Sequence, residues 1–184
     1  MSTDLPNIVL IGGAGSGKST AAKWLVEDFG YRRLGFAGVA EDPHKGSPRD
    51  WVTRAWGAAM VNDREKLIAV ANAARSVDED VWLNSLVREL DWEDNPVVVD
   101  DCRFANEYFG LMGRGFVSVR ILADHARRED RLKANGKWLE GYLDHELEHY
   151  LDGVTPGYTI HNDGDLDEFY ESLMDVVARE RRRR

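Results

Sequence analysis

The sequence predicts an α/β fold in which helices flank a parallel β-sheet. Three observations indicate it: short apolar runs recur along the chain, segments with a helical period separate them, and the first run leads directly into a glycine-rich turn. Buried parallel strands are continuous apolar runs that crossover helices connect. A chain of 184 residues has room for one domain of this kind.

The predicted strands are five apolar runs, at residues 7–11, 32–36, 96–99, 116–122 and 158–161. The third run is rich in β-branched residues and meets polar residues only at its carboxyl end, which is typical of a central strand. Ligands of parallel α/β sheets bind at the carboxyl ends of the strands. The residues that follow each run are therefore the first candidates for a site.

Helices are predicted between these strands. From Lys18 onward, apolar residues recur at every fourth position, and Gly30 supplies a C-terminal stop. Residues 49–90 are rich in Ala, Leu, Glu and Arg and predict about three helices, the last of them capped by Asp78. An apolar face at residues 166–177 predicts a closing helix.

Composition and charge exclude several classes of protein. The net charge is -9, so the overall field repels a long polyanion and nucleic acid is not an expected partner. No apolar stretch approaches the roughly 20 residues of a membrane span, and residues 1–6 lack the basic start of a secretory signal. Cys102 is the only cysteine, which excludes a disulfide framework. We therefore expect a cytoplasmic protein with no membrane partner.

A phosphate-binding loop occupies residues 12–19. The octet GGAGSGKS matches G-x-x-x-x-G-K-[ST] at every fixed position and lies between a predicted strand and a predicted helix, as the motif requires. Glycines let successive N–H groups turn toward an anion, and the helix dipole adds to the attraction. The motif predicts ATP and Mg²⁺, with Lys18 on the β- and γ-phosphates and the Ser19 hydroxyl on the metal. The predicted nucleotide-binding residues here are Gly13, Ala14, Gly15, Ser16, Gly17, Lys18, Ser19 and Thr20.

This loop indicates a P-loop NTPase-type fold, and other features narrow the class. GTP-binding switches need Asn-Lys-x-Asp and Asp-x-x-Gly segments, and the sequence has neither. Transport ATPases and motor proteins carry accessory regions for which 184 residues leave no room. We therefore predict one kinase domain over residues 1–184, with a helical acceptor-binding insertion at about residues 45–92 and a lid at about residues 123–152.

A more specific resemblance begins at residues 99–107, VDDCRFANE. This segment resembles the Asp-x-Arg-Phe-x-Asn-Glu signature of the deoxynucleoside monophosphate kinase family known from bacteriophages. Further similar segments follow in the family's order at residues 36–37, 80–82 and 160–164. The family's lysine shortly after the Phe-Ala pair is missing, and residues 67–72 replace a Leu-Gln-x-x-Gly-Thr stretch. Both departures fall in the acceptor-binding region and leave the acceptor base open.

The resemblance implies an ATP-dependent kinase that converts a (deoxy)nucleoside monophosphate to the diphosphate. It also implies a homodimer and, if the protein is of phage origin, a place in the host cytoplasm. Related kinases hold the adenine by backbone contacts after the last strand, which here assigns that role to Asn162 and Gly164.

Arginines and carboxylates near the strand ends are the catalytic candidates. Arg103 follows the central strand, where its guanidinium can form paired hydrogen bonds with acceptor phosphate oxygens. Asp101, with Asp100 as the alternative, is expected to orient Mg²⁺ or to contact the acceptor. Arg127 and Arg131 are four residues apart on a predicted helix and share the face that closes over the phosphates. The predicted catalytic residues are Lys18, Asp101, Arg103, Arg127 and Arg131, and the predicted metal ligands are Ser19 and Asp101.

The inserted helices supply further candidates for the acceptor. Arg54 and Arg75, together with Arg103, are predicted to bind its phosphate. Trp82 is predicted to stack on the base, and Trp51 is a second candidate for the same role.

Three other functions stay open. His145-Glu146-Leu147-Glu148-His149 matches H-E-x-x-H, which on a helix places two imidazoles toward zinc with the glutamate as general base. The glycine of the metzincin extension is missing, since Asp152 stands in its place, so a zinc hydrolase is the weaker alternative. The others are a P-loop kinase of another small phosphorylated metabolite and a nucleotide-binding regulator that has no acceptor.

Overall fold

A computed structural model describes residues 5–39, 43–138, 140, 143 and 149–183. These residues form one five-stranded sheet, flanked by helices, in which every neighbouring pair of strands is parallel. The strands are β1 (Ile8–Ile11), β2 (Arg32–Leu34), β3 (Val97–Val99), β4 (Val117–Leu122) and β5 (Tyr158–His161). The predicted fold class is confirmed.

Helices connect the strands. In the described part of the chain they are α1 (Lys18–Phe29), α2 (Pro48–Trp56), α3 (Arg64–Arg75), α4 (Val81–Leu90), α5 (Ala105–Met112), α6 (His125–Ala134) and α7 (Leu166–Arg181), with a 3-10 turn at Ala58–Met60. Three α-helices occupy residues 49–90, as the composition predicts. Asp80 rather than Asp78 is the N-cap residue of α4, and the Asp78 carboxylate instead accepts a hydrogen bond from the Asp80 N–H.

The strand order β2-β3-β1-β4-β5 places β1 at the centre of the sheet. β1 pairs with β3 on one side and with β4 on the other, so the chain connections diverge beside its carboxyl end. Crevices of this kind are where open α/β sheets bind their ligands. The phosphate-binding loop lies here, because it follows β1 directly.

Apolar side chains cover both faces of the sheet. One core cluster joins β1, β4 and β5 to α1 and α7 through side chains such as Leu25, Phe169 and Leu173. A second joins the other face to α4 and α5 through Trp82, Leu86 and Leu111. The loop therefore rests on a sheet that is packed on both sides.

The second strand is shorter than predicted. It ends at Leu34, because the N–H groups of Phe36 and Ala37 bond to the Asp101 carboxylate instead of extending a strand. No helix in the described part of the chain combines the length and apolar character needed to cross a bilayer.

Candidate active site

The phosphate-binding loop ends in a helix terminus suited to an anion. Gly17 occupies the N-cap position of α1 with φ 114°, and a Cβ there would lie 2.3 Å from Asn162 Nδ2. Gly17 has no side chain with which to cap α1, and the first turn of the helix contains no acidic residue. Helices α2, α3 and α7, in contrast, are capped by Ser47, Asp63 and Asp165. The start of α1 is therefore a helix N-terminus of the kind that attracts anions.

Lys18 extends back over the loop that precedes it. Its Nζ donates to the carbonyl oxygens of Gly12 at 2.6 Å and Gly13 at 2.9 Å. The ammonium group therefore lies beside the loop backbone, where a P-loop lysine meets the terminal phosphates of a nucleotide.

A carboxylate and a hydroxyl meet at the end of β3. Ser19 Oγ donates to Asp100 Oδ2 at 2.9 Å, and the Arg33 guanidinium donates to both oxygens of Asp100 at 2.9 and 2.6 Å. Sequence analysis predicts Ser19 and Asp101 as the two metal ligands. The structure favours the alternative, because Asp100 rather than Asp101 lies beside Ser19. Arg33, on the neighbouring strand β2, was not predicted from the sequence.

The oxygens of Ser19 and Asp100 fit Mg²⁺. This ion prefers oxygen ligands, keeps several waters and is commonly held by one or two carboxylates together with substrate phosphates. In the described part of the chain no group of three or more His, Cys, Asp or Glu residues is placed to hold a metal ion. A hydroxyl and a carboxylate next to a phosphate-binding loop therefore suit a metal that arrives with a nucleotide.

Asp101 holds the loop that follows β2. Its two oxygens accept the N–H groups of Phe36 at 2.8 Å and Ala37 at 2.9 Å. Burial raises the pKa of Asp101, the negative charge of Asp100 raises it further, and the two backbone N–H bonds oppose the shift. Both oxygens of Asp101 are therefore engaged in holding the segment that follows β2, and neither lies beside Ser19 as an oxygen of Asp100 does.

Arg75 and Arg103 lie near Glu107, which is buried. Glu107 Oε1 accepts from Arg75 Nη2 at 3.0 Å, and Oε2 accepts the N–H groups of Arg103 and Phe104. Burial, and to a lesser degree the negative charge of Asp101, raise the pKa of Glu107, while the Arg103 N–H and the positive charge of Arg75 oppose the rise. Arg75 also lies 4.2 Å from the centre of the Phe104 ring. Arg75 therefore supports the turn that carries Arg103, whose own side chain is half-buried at the carboxyl end of β3.

Arg131 and Asn162 lock the loop to the last strand. Asn162 Nδ2 donates to the Ser16 carbonyl at 2.7 Å, and Arg131 Nη2 donates to the carbonyl and side-chain oxygens of Asn162. Arg131 Nη1 also reaches the Gly15 carbonyl at 3.4 Å. Arg131 and Asn162, which are both predicted site residues, thus lie at the phosphate-binding loop. Gly164, which was predicted together with Asn162, lies in the exposed turn between β5 and α7.

Helix α6 presents a different arginine to the loop than the spacing predicts. Arg127 is exposed, whereas Arg128 Nε donates to the Ala14 carbonyl at 2.8 Å. The face of α6 that contacts the loop therefore contains Arg128 and Arg131, three residues apart. The predicted pairing of Arg127 with Arg131 on that face is wrong.

The predicted base-stacking residue is not accessible. Trp82 is 1% exposed and its Nε1 donates to the Ala71 carbonyl, so no ring face is free for a base and this prediction is wrong. Trp51 is 53% exposed and packs edge-on against Trp82. Arg54 is largely exposed and forms an ion pair with Asp50, one turn away on α2.

The H-E-x-x-H segment lies mostly outside the described residues, including His145 and Glu146. His149 is described, and its Nδ1 lies 2.8 Å from Asp152 Oδ2. This hydrogen bond, reinforced by the negative charge of Asp152, raises the pKa of His149. Residues 139, 141–142 and 144–148 of the predicted lid also fall outside the described residues.

Comparison of the whole structure with solved structures gives matches that span nearly the whole chain. A gluconokinase from Sinorhizobium meliloti 1021 superposes with a TM-score of 0.62 at 18% identity, over 97% of this chain and 94% of that chain. A shikimate kinase from Acinetobacter baumannii in complex with shikimate gives 0.57 at 19% identity, over 97% and 96%. TT1252 from Thermus thermophilus gives 0.56 at 22% identity, over 95% and 98%.

The chain has the fold of the P-loop kinases. No protein-family profile and no curated protein matches its sequence. In this P-loop kinase fold, the loop after β1, Asp100 after β3 and the arginines of α6 lie around one crevice.

Sequence reasoning missed two residues of this crevice, Arg33 and Arg128, and named a third, Asp100, only as the alternative to Asp101. Asp100 directly follows the apolar run of β3, and that position was a usable signal for it. Arg128 had a weaker signal, its spacing of three from Arg131. Arg33 had none, because only the strand order shows that β2 lies beside β3.

Proposed function

We propose that the chain is an ATP-dependent kinase that transfers the γ-phosphoryl group of ATP to a (deoxy)nucleoside monophosphate. One observation carries the proposal: Lys18 and the Ser19–Asp100 pair lie together at the uncapped N-terminus of α1. Such a site combines an anion-binding backbone, a cation for the terminal phosphates and oxygen ligands for a metal.

The donor nucleotide would be held by this chain's loop and α6. The loop N–H groups and Lys18 bind the β- and γ-phosphates, and Arg131 keeps the loop in shape through Gly15 and Asn162. Ser19 and Asp100 would hold Mg²⁺, which neutralises charge on the phosphates when it is bound. The Arg33 guanidinium keeps the Asp100 carboxylate oriented toward Ser19.

The acceptor would lie beyond β2 and β3, between the loop and helices α2 to α4. Two segments of the family resemblance support this placement, because Asp101 of one bonds to Phe36 and Ala37 of the other. Arg103, held at its backbone by Glu107, follows the last residue of β3 by four positions and would receive the acceptor phosphate.

The reaction requires alignment more than covalent chemistry. An oxygen of the acceptor phosphate attacks the γ-phosphorus, the bond from that phosphorus to the β–γ bridging oxygen breaks, and ADP leaves with that oxygen. Lys18 and the arginines offset the negative charge of the moving phosphoryl group. Closure of the lid would exclude water and so prevent hydrolysis of ATP.

A kinase of another small metabolite is the second candidate. It is favoured by the similarity to solved structures named as a shikimate kinase and a gluconokinase. These acceptors differ from a nucleotide in lacking a base, so they would make no use of an aromatic surface such as Trp51.

A coupled assay for ADP release distinguishes the candidates. Purified protein is given ATP and Mg²⁺ with each common ribo- and deoxyribonucleoside monophosphate, and in parallel with shikimate and gluconate. ADP release that depends on a monophosphate supports the proposal. Release that depends only on shikimate or gluconate would overturn the choice of acceptor, and slow release without any acceptor would indicate a regulator that hydrolyses ATP.

A further inference from the structure

A cavity lies at the opposite end of the sheet from the phosphate-binding loop. Its lining includes residues 116–118, at the start of β4, and Tyr158, at the start of β5. The loop instead follows the carboxyl end of β1, which runs parallel to β4. A strand of six residues such as β4 is about 20 Å long, so the cavity and the loop are separate sites.

The cavity has the size of a small-molecule site. Its volume is about 640 Å³, and ligand pockets commonly enclose about 300–1,000 Å³. One wall is apolar and comes from α5 and from the residue before β4, with the side chains of Tyr108, Phe109, Met112 and Phe116. Phe109 is 61% exposed beside the cavity. A ligand with an apolar body would remove this ring from water.

Hydrogen bonds hold the opposite wall in place. This wall is the segment of residues 153–157, which leads into β5. The buried Ser118 Oγ accepts the N–H of Gly157 at 2.8 Å and the O–H of Tyr108 at 3.1 Å. The Tyr108 hydroxyl also lies 3.2 Å from the Thr155 carbonyl oxygen. The chain's own contacts therefore fix this wall, and a preformed cavity costs less free energy to fill.

One end of the cavity is charged. Glu180, in the last turn of α7, and Arg183, just after the helix, line this end together with Tyr158. Glu180 Oε1 accepts from the Tyr158 hydroxyl and from Arg183 Nη1. Among the residues that the structure describes, Arg183 Nε and Nη2 form no hydrogen bond. Glu180 therefore holds a guanidinium at the cavity that still has donors for an anion.

The sequence around Arg183 is strongly basic. Residues 179–183 contain four arginines and one glutamate, in a chain whose net charge is -9. Arg181 and Arg182 are exposed, and Arg179 lies 3.9 Å from the Asp175 carboxylate. This local excess of positive charge favours an anion over a cation at the charged end of the cavity.

We propose that this cavity binds a small amphipathic anion. Its aromatic or aliphatic body would lie against Phe109 and Phe116, and its carboxylate or phosphate group would bond to Arg183. The inference goes beyond the proposed function and does not rest on it, because the cavity contains no residue of the nucleotide site.

Binding of the dye anilinonaphthalene sulfonate tests the proposal. The dye is an aromatic anion whose fluorescence rises in apolar surroundings, and excess ATP and Mg²⁺ keep it out of the nucleotide site. We expect saturable binding of one dye molecule per chain. Arg183→Gln should raise the Kd about 3- to 5-fold, as expected for an exposed ion pair, and Phe109→Ala about 3- to 10-fold.

Two matched controls remove similar side chains outside the cavity. Arg182→Gln removes an exposed arginine next to Arg183, and Leu166→Ala removes an exposed apolar side chain at the start of α7. Both should bind the dye like wild type. Because Phe109 and Arg183 are themselves exposed, the test variants should fold normally. Equal dye affinity in test and control variants, or no saturable binding to wild type, would overturn the proposal.

Competition with the dye tests the anionic group separately. Naphthoate should displace the dye at a lower concentration than naphthalenemethanol, which has the same rings and no charge. Equal displacement by the two would overturn the assignment of an anionic ligand. Naphthoate compared with naphthyl phosphate distinguishes a carboxylate from a phosphate ligand, and a preference for either supports the proposal.

Sedimentation velocity tests whether a second copy of the chain covers the cavity instead. A wild-type dimer that binds no dye, and that Phe109→Ala converts to a monomer, would overturn the proposal in favour of a contact between copies. Failure of the proposed function has a different result. A chain that binds the dye as expected but transfers no phosphoryl group would keep the cavity site and lose the kinase assignment.

Discussion

Asp100 and Asp101 are neighbours in the chain and act on opposite sides of the site. Successive side chains alternate in direction at the end of a strand. Asp100 therefore meets Ser19 and Arg33, whereas Asp101 meets the N–H groups of Phe36 and Ala37. In the proposed function, the first carboxylate would serve the nucleotide side of the crevice and the second the acceptor side.

Asp100→Asn should weaken the Mg²⁺ dependence of nucleotide binding. The amide keeps the size of the side chain but removes the charge that would attract the metal, and a loss of about 10- to 100-fold in metal affinity is expected. Titration of Mg²⁺ at a fixed concentration of ATP measures the metal affinity. Unchanged Mg²⁺ dependence would show that Asp100 does not serve the metal.

Asp101→Asn should change stability in a pH-dependent way. The pKa of Asp101 is raised in the folded protein, so the folded state binds this proton more tightly than the unfolded chain. The resulting stabilisation is fully present below the unfolded pKa of about 4 and is lost as the pH rises through the raised pKa. The amide cannot titrate and has only one acceptor oxygen for two N–H groups.

Wild type should therefore gain stability relative to Asp101→Asn as the pH falls from neutral toward about 4. Urea denaturation of both proteins across this range measures the difference. Burial raises the pKa of Glu107 in both proteins, and the negative charge of Asp101 raises it further in wild type only, so Glu107 adds to the difference in the same direction. If the free energy of unfolding of wild type, minus that of Asp101→Asn, stayed constant or fell on acidification, the result would contradict the raised pKa of Asp101.

At the scale of elements, the proposed nucleotide site is built on the N-terminus of α1, which follows the phosphate-binding loop. The helix begins after the four glycines of the loop, and its N-cap residue, Gly17, makes no side-chain cap, so packing of α1 on the sheet fixes where the N–H groups of its first turn lie. Asn162, from the far side of β4, closes the other end of the loop by bonding to Ser16. Two elements distant in sequence thus define one anion site.

Gly17→Ala should disrupt this junction. A side chain at φ 114° costs roughly 1–2 kcal/mol, and its Cβ would collide with the Asn162 amide. Gly30→Ala is the matched control, because Gly30 has φ 72° at the other end of α1 and open space around it. Both variants should lose stability in denaturant titrations, but only Gly17→Ala should lose ATP affinity. Equal ATP affinity in the two would contradict the assigned geometry.

At the scale of the whole molecule, the sequence predicts the sheet and the place of the phosphate-binding loop better than the side chains that surround them. The strands and the phosphate-binding loop were predictable because their signals are local: β-branched runs and an octet with fixed spacing. Arg33 and Asp100 meet only through strand order, which no local pattern contains. Trp82 carries the same aromatic character whether it faces a ligand or the core, and here it fills the core.

The error on α6 has a geometric cause. Arg127 and Arg131 do share a helix face by spacing, but the direction of that face is set by how α6 packs on the loop. Packing turns Arg128 toward Ala14 and leaves Arg127 in solvent. The orientation of a polar helix with few apolar residues is poorly determined by its sequence alone.

Transfer of label from γ-labelled ATP tests the central claim most directly. The protein is incubated with γ-labelled ATP, Mg²⁺ and each nucleoside monophosphate in turn, and the products are separated. We expect labelled nucleoside diphosphate with at least one monophosphate, and none with Lys18→Ala. Label found only in inorganic phosphate, or equal labelled diphosphate from Lys18→Ala, would contradict a kinase built on this loop.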